Sequence, residues 1–149
     1  MRGSFGIGVW HPKTKHNIGT LWRSAYQLGA SFIFTIGARY KRQASDTYNT
    51  PGNIPLLHFD DLDELVIPYG HPLIGVEFNG ESVPLPEVEH PRQALYLLGA
   101  EDHGLLPHIA ARCHRVIEIP HASTRPASYN VAVAGALVMY DRLVKRSKT

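Results

Sequence analysis

The sequence predicts an α/β fold, a single-domain parallel sheet with flanking helices. Short apolar runs rich in β-branched and aromatic residues alternate with helix-like segments along the 149 residues. The last stretch, from about Ser128 to Lys145, reads as a long helix that is apolar nearly all round. A chain of this length fits one domain, so we expect one unit spanning residues 1–149.

The chain is predicted to begin with a strand, a helix and a second strand. Phe5 to Trp10 reads as a buried strand, and a basic loop follows it. We expect Asn17 to cap a helix that runs to Leu28, with Gly29 as its left-handed stop. Ser31 to Ile36 has the composition of a second strand.

A long irregular segment, Gly37 to Asn53, separates this unit from the rest. Long loops inside compact domains are usually functional or disordered. Basic residues on either side of Tyr40 combine charge with a stacking ring, as RNA contacts do. The segment is therefore a candidate RNA contact, and the alternative is a mobile solvated loop.

The middle of the chain is predicted to hold two more strands and a short helix. Pro55 to Phe59 and Pro72 to Phe78 read as strands, and Asp60 to Val66 reads as an acid-capped helical turn or two. The prolines between Pro68 and Pro91 favour a rigid connector over a long helix.

Two further apolar runs, Ala94 to Leu98 and Val116 to Ile119, each end in a loop of Gly, Pro, Ser and polar residues. Loops at the carboxyl ends of parallel strands are where open α/β sheets bind ligands. These loops are therefore the predicted site.

Charge is segregated along the chain, although the net charge is only +2. Residues 1–44 hold seven basic residues and no acid, and residues 45–91 hold nine acids and neither Lys nor Arg. This pattern indicates a basic surface for a polyanion, and solvated charges scattered over the surface are the alternative. The candidate RNA-binding residues are Lys13, Lys15, Arg39, Lys41 and Arg42.

Several classes of protein are disfavoured. No long apolar run or signal-peptide pattern is present, so we expect a cytoplasmic protein without a membrane partner. The single cysteine, Cys113, excludes an internal disulfide and reads as a small buried apolar residue. The spacing of His103, His108 and His114 does not align one face, so we expect no metal.

A dinucleotide-binding oxidoreductase has only the run GIGVW in its favour. The third glycine of the fingerprint is absent, and no acidic residue follows at the required distance.

Three motifs carry a specific resemblance. The first, HNIGTLWRSAYQLGA, holds Asn17, Gly19, Arg23 and Ala25; the second is GAEDHGL; the third runs from VIEIPH to SYNVAVAGAL. In this order they resemble the motifs of the SpoU-type RNA ribose 2′-O-methyltransferases. The resemblance implies the SPOUT fold with a C-terminal deep trefoil knot, and it overrides the general expectation of an unknotted chain.

The resemblance also implies the chemistry. S-adenosylmethionine would donate a methyl group to a ribose 2′-hydroxyl of structured RNA, with tRNA favoured because we see no appended RNA-binding domain. A homodimer is expected, because the last helix is apolar on too many sides for a monomer. The alternative is a non-catalytic RNA-binding or assembly module that keeps the fold.

Family roles can be transferred to individual positions of this chain. Three loops would hold the cofactor largely through backbone groups: residues 76–80, 99–104 and 119–128. The implied cofactor contacts are Val76, Gly99, Glu101, Ile119, Pro120 and Ser128. The implied catalytic residues are Arg23, Asn17, Glu101 and Asn130. Glu101 has a structural alternative, in which it only ties down its loop.

The role of Arg23 has two interpretations. The family role is that of a general base, yet a guanidinium stays protonated in proteins. Bidentate binding of the phosphate beside the target ribose is the less strained role. Two positions depart from the usual motifs, Asp102 beside Glu101 and Tyr129 between Ser128 and Asn130.

Overall fold

The structure, a computed structural model, describes residues 3–37, 54–99, 104–124 and 127–146, without the side chains of 66–69. The strands are β1 (Ser4–Trp10), β2 (Phe32–Ile36), β3 (Leu56–Phe59), β4 (Leu73–Val76), β5 (Val83–Pro84), β6 (Gln93–Leu98) and β7 (Arg115–Glu118). The helices are α1 (Lys15–Gln27), α2 (Leu62–Tyr69), α3 (Pro107–Ala110) and α4 (Val131–Arg146), with a 3-10 turn at Leu85–Glu87.

One sheet joins these strands in the order β3-β2-β1-β6-β4-β7-β5, and each described pairing is parallel. Strand β6 is buried on both faces: Tyr96 points to one side, and its neighbours Leu95 and Leu97 point to the other. Such strands read as continuous apolar runs, because helices cover both faces of a parallel sheet. The predicted α/β fold is confirmed.

The two faces of the sheet are covered by different helices. On one face, α1 and α4 contribute Leu21, Trp22 and Val138 to a core cluster that includes Tyr96. On the opposite face, α2 and α3 contribute apolar side chains that pack with Phe34 of β2. The sheet is thus the middle layer of three, and α4 packs against α1 on one side of it.

The glycines of GIGVW serve packing between strands. A Cβ at Gly6 would lie 2.5 Å from the ring of Phe32, and one at Gly8 would lie 2.3 Å from the ring of Phe34. Because the rings of β2 occupy these positions, the two glycines make room inside the sheet. This explains the motif without a dinucleotide.

Some element bounds differ from those predicted. Helix α1 begins at Lys15, so Asn17 lies in its first turn and does not cap it. Helix α2 extends to Tyr69, so Pro68 lies in its last turn. Strand β4 ends at Val76, which places the next two residues in a loop. The short strand β5 and the 3-10 turn after it were not predicted, because no apolar run in the sequence marks them.

The acid-capped start of α2 is confirmed by its hydrogen bonds. The Asp61 carboxylate accepts the backbone N–H of Glu64 at 3.1 Å, and the Glu64 carboxylate accepts the N–H of Asp60 at 3.1 Å. These two bonds satisfy N–H groups at the helix start that have no partner within the helix.

A buried polar network fixes the C-terminal half of α4. The ring of His90 bonds the Tyr96 hydroxyl and the Asp141 carboxylate, each at 2.7 Å. Arg142 is buried and donates to Tyr96 at 3.1 Å and to the carbonyls of Pro91 and Arg92 at 2.6 and 2.7 Å. These bonds join the helix to the segment that leads into β6.

Helix α4 has one buried and one exposed apolar face. Val131, Gly135 and Val138 face the core, and Gly135 lets the helix approach closely, since a Cβ there would lie 2.5 Å from Leu21. Among the described residues, no helix combines the length and apolarity that crossing a membrane requires. Residues 100–103 and 125–126 lie outside the described ranges, so the knot stays a prediction.

Candidate functional site

A pocket of about 290 Å³ lies where β4, β6 and β7 end. These three strands are neighbours in register, with Leu98 beside Val76 and Val76 beside Ile117. Parallel strands bring their carboxyl ends to one edge, so the loops that follow them meet there. The lining residues are Val76, Glu77, Phe78, Leu98, Gly99, Gly104, Ile119, His121, Ala127, Ser128, Tyr129, Val131 and Ala134.

Four of the cofactor contacts implied by the sequence lie around this one pocket: Val76, Gly99, Ile119 and Ser128. They come from the three loops that the motifs indicated. Pro120 is held nearby, since its carbonyl accepts the hydroxyl of Tyr129 at 2.6 Å. Glu101 and Asp102 lie outside the described residues.

Tyr129, one of the two departures from the usual motifs, has a visible role. Its hydroxyl closes the third loop by joining position 129 to the carbonyl of Pro120. An apolar side chain at this position would have no donor for that bond.

Glycine backbone forms one wall of the pocket. A Cβ at Gly99 would lie 2.2 Å from the carbonyl carbon of Gly104, so the two segments pack backbone to backbone. Gly104 has φ +62°, a conformation that side chains rarely adopt. Such a wall offers backbone N–H and C=O groups to a ligand at close range.

Glu77 belongs to the pocket, although the sequence analysis did not select it. Its carboxylate accepts the N–H of Phe78 at 2.8 Å and the N–H of Leu105 at 2.6 Å. The implied cofactor loop 76–80 includes this position, but the predicted strand ran through Phe78 and Glu77 was not among the implied contacts. An acid just after a buried parallel strand was the available signal.

Asn17 and Asn130 meet although 113 residues separate them in sequence. The Asn130 side-chain N–H donates to the side-chain oxygen of Asn17 at 3.0 Å. The Asn130 oxygen accepts the backbone N–H groups of Ala132 and Val133, so Asn130 caps α4. Asn130 also stands between Tyr129 and Val131, which both line the pocket.

Comparison with known proteins fixes the family. The SpoU rRNA Methylase family model matches residues 4–140, nearly the whole chain. The chain belongs to the SpoU rRNA methylase family. The resemblance drawn from the three motifs is confirmed.

Solved structures share the SpoU fold at low sequence identity. A TrmH/SpoU tRNA modifying enzyme of A. aeolicus matches with a TM-score of 0.87 and 20% identity, over 99% of this chain and 77% of its own. The SpoU methyltransferase AviRb from Streptomyces viridochromogenes, in complex with the cofactor AdoMet, matches with a TM-score of 0.85 and 23% identity, over 100% and 63%.

A third structure concerns 2-OH methylation of C/U34 on tRNA. It matches with a TM-score of 0.84 and 21% identity, over 99% of both chains. Several other matched chains are longer, and this chain spans 57% to 63% of their length. No curated protein matches the sequence.

The basic residues of this SpoU chain are only partly described. Arg23 is exposed on α1, whereas its neighbours Leu21, Trp22 and Ala25 are buried. Lys13 and Lys15 are exposed just before α1 and at its start. The other three candidates, Arg39, Lys41 and Arg42, lie outside the described residues.

The rim of the SpoU pocket is aromatic. The Phe78 ring is 59% exposed, and its centroid lies 5.4 Å from that of the His121 ring in an edge-to-face arrangement. Tyr129 is also exposed beside them. Rings at a pocket mouth can stack on a nucleobase.

His114 and Cys113 have structural roles. His114 accepts the backbone N–H of Leu73 at 3.0 Å through its Nδ1 atom. Cys113 is partly rather than fully buried, and burial raises the pKa of its thiol to about 11, which keeps it protonated. In the part of the chain that the structure describes, no three metal-ligating side chains cluster.

Proposed function

We propose that this chain is an S-adenosylmethionine-dependent methyltransferase that modifies a ribose 2′-hydroxyl in structured RNA, with tRNA the favoured substrate. The observation that carries the proposal is the pocket where the described residues that follow β4, β6 and β7 converge. The Asn17–Asn130 pair stands at the start of α4, beside the pocket wall. Membership in the SpoU family supports the same chemistry.

The pocket has the composition expected for an adenosine group. Val76, Leu98 and Ile119 provide apolar walls for a purine ring. The backbone of Gly99 and Gly104 provides donors and acceptors at close range for the polar edges. The AdoMet complex of the Streptomyces neighbour supports this choice of ligand. When bound, S-adenosylmethionine supplies an electrophilic methyl group.

The acceptor side of the site would be formed by polar side chains of α1 and by Asn130, which caps α4. Exposed Arg23 can clamp the phosphate beside the target ribose with its planar fork. Such a clamp aligns the 2′-oxygen with the methyl group and stabilises developing negative charge. Asn17 and Asn130 would orient the ribose, and the proton leaves through the phosphate or water.

The choice of tRNA and of the ribose hydroxyl has separate support. The neighbour whose structure concerns 2-OH methylation on tRNA matches over 99% of its own length, so it has the same size as this chain. We propose that this domain binds RNA with its own basic surface and with that of a second subunit. Lys13 and Lys15 are the described candidates for that surface. We propose that Arg39, Lys41 and Arg42, which lie outside the described residues, also bind RNA phosphates.

A homodimer would bury the exposed face of α4. The large apolar side chains on that face recur at helical spacing and are exposed: Val133, Leu137, Tyr140 and Leu143. A continuous apolar stripe of this kind marks an interface more often than a solvated face. We propose that a second copy of the chain covers it.

The competing function is an RNA-binding or assembly module that keeps the fold without the activity. Cofactor binding separates the two. Calorimetry with S-adenosylmethionine should detect binding to a saturable site, and absence of binding at millimolar concentration would favour the inactive module. S-adenosylhomocysteine provides a check, since it fills the same pocket without a transferable methyl.

A further inference from the structure

We propose that Glu77 is a positioning residue, whose carboxylate joins the residues after β4 to Leu105 and so holds the pocket wall of Gly99 and Gly104 in the shape that receives the cofactor. The inference rests on the proposed function of the pocket and adds a residue outside the three family motifs. Glu77 follows the last residue of β4, and its side chain is half-buried at the pocket wall.

Two hydrogen bonds carry the inference. One carboxylate oxygen accepts the N–H of Phe78 within its own loop at 2.8 Å. The other accepts the N–H of Leu105, 28 residues away, at 2.6 Å. Leu105 is buried in the core cluster beneath the sheet, so the second bond anchors the loop to a rigid point.

The backbone around the carboxylate leaves no room for another side chain. A Cβ on Gly104 would lie 2.0 Å from the Glu77 oxygen that bonds Leu105, and one on Gly99 would lie 2.2 Å from Gly104. Gly99, Gly104 and the carboxylate are thus stacked in contact. A shift of Glu77 would therefore move the glycine wall against which the cofactor would bind.

The chemistry of the site requires a carboxylate rather than an amide. An ionised carboxylate only accepts hydrogen bonds, so both of its oxygens suit backbone N–H groups. Glutamine would turn a donor toward one of those N–H groups and leave it unsatisfied. Charge-assisted bonds are also roughly twice as strong as neutral ones.

The test compares Glu77→Gln with Glu81→Gln. Both substitutions remove one negative charge, and Glu81 lies close along the chain, but it is exposed and only its backbone N–H makes a described bond, to Asn79. Calorimetry should show that Glu77→Gln weakens S-adenosylmethionine binding about tenfold or more. Glu81→Gln should bind within about twofold of the unsubstituted protein.

Two further readouts separate positioning from a general loss of structure. Hydrogen exchange should accelerate at the Leu105 amide in Glu77→Gln without cofactor, while amides of β1 and β6 keep their protection. In steady-state methyl transfer, KM for S-adenosylmethionine should rise while kcat at saturation stays nearly unchanged. A loss of kcat with unchanged KM would contradict the positioning role.

A second pair of variants applies if Glu77→Gln does not fold. Gly104→Ala pushes on the same carboxylate, and Gly70→Ala is its control, because Gly70 has φ +60° but open space around its Cβ position. Only Gly104→Ala should weaken cofactor binding. If the unsubstituted protein binds no S-adenosylmethionine, the proposed function fails. If it binds, and a folded Glu77→Gln binds as tightly as Glu81→Gln, the role of Glu77 is overturned. If Glu77→Gln does not fold, equal binding by Gly104→Ala and Gly70→Ala overturns it.

Discussion

Asn130 donates its side-chain N–H to the side-chain oxygen of Asn17 at 3.0 Å and, through its own oxygen, caps helix α4. One side chain therefore begins the C-terminal helix and fixes the amide orientation of a residue on α1. Because the Asn130 oxygen accepts the N–H groups of the helix, the NH2 group of Asn130 faces Asn17. Asn17 must therefore turn its own amide oxygen toward that NH2 group. Two residues to which the motifs assigned catalytic roles thus form one unit.

Asn130→Asp should separate the capping of α4 from the hydrogen bond to Asn17. Aspartate caps a helix as well as asparagine and suits the positive end of the helix dipole, so thermal stability should stay near that of the unsubstituted protein. It cannot donate to Asn17, which must then turn its amide over, and methyl transfer should fall by orders of magnitude. Thermal unfolding and initial rates measure the two effects.

Asn130→Ala is the companion variant. It should lose both activity and about 1 kcal/mol of stability, because it removes the cap as well. Full activity in Asn130→Asp would show that the bond to Asn17 has no part in catalysis.

Arg23→Ala should leave cofactor affinity nearly unchanged while methyl transfer falls by orders of magnitude. The exposed guanidinium contacts RNA and the transition state in the proposed mechanism, and it is absent from the lining of the pocket. Calorimetry with S-adenosylmethionine and rates of methyl transfer to RNA measure the two quantities. Loss of cofactor binding in a folded protein would place Arg23 in the cofactor pocket instead.

Arg23→Lys tests the geometry of the proposed clamp. Lysine keeps the charge but loses the planar fork, so a bidentate phosphate contact predicts substantial loss of activity. Activity equal to that of the unsubstituted protein would show that the reaction needs the positive charge of Arg23 but not its planar fork.

The His90 network predicts that stability falls on the acid side of neutrality. Burial lowers the pKa of His90, although the hydrogen bond that its ring donates to Asp141 opposes this. Neutral His90 satisfies both neighbours, since it donates to Asp141 and accepts from Tyr96. The ring titrates near pH 6.5 in the unfolded chain. Neutral His90 therefore makes its full contribution to the free energy of unfolding above that pH. This contribution is lost as the pH falls from 6.5 toward the lower pKa of the folded state.

Urea unfolding between about pH 7.5 and pH 5 measures this effect. His90→Gln is the control, because glutamine can donate and accept but does not titrate. The unsubstituted protein should lose more stability than His90→Gln over this interval. Equal losses would show that His90 does not contribute to the pH dependence.

Leu137→Glu should convert the proposed dimer into a monomer. Leu137 lies in the middle of the exposed stripe of α4, and a charge there would be buried without a partner at an interface. Leu106→Glu is a matched control, since Leu106 is 36% exposed and Leu137 39%, but Leu106 precedes α3 on the opposite face of the sheet. Light scattering that gives a monomer for the unsubstituted protein would contradict the dimer.

Local sequence patterns identified most strands and the loops of the site. Strand β6 was recognisable because burial on both faces makes it continuously apolar, and the glycines after it marked a close backbone approach. The contact between Asn17 and Asn130 could not be read this way, because periodicity describes neighbours within an element and not residues 113 positions apart.

Glu77 was missed for a related reason. The paired register of β4 with β6 and β7 ends at Val76, and one further bond, from the Glu77 N–H to the carbonyl of Ile117 at 2.9 Å, follows it. The apolar run itself includes Phe78, so the pattern extended the strand past the residue that links two loops of the pocket.

The most direct measurement of the proposed function is transfer of labelled methyl from S-adenosylmethionine to total tRNA and, in parallel, to ribosomal RNA. Mapping of the labelled nucleotide then locates the methyl group on the ribose or on the base. We expect the label on a ribose 2′-oxygen of tRNA, and its loss in Arg23→Ala. A label on a base would contradict the 2′-O assignment, and a label confined to ribosomal RNA would contradict the choice of tRNA. Absence of transfer to either RNA by protein that binds the cofactor would contradict the proposed activity.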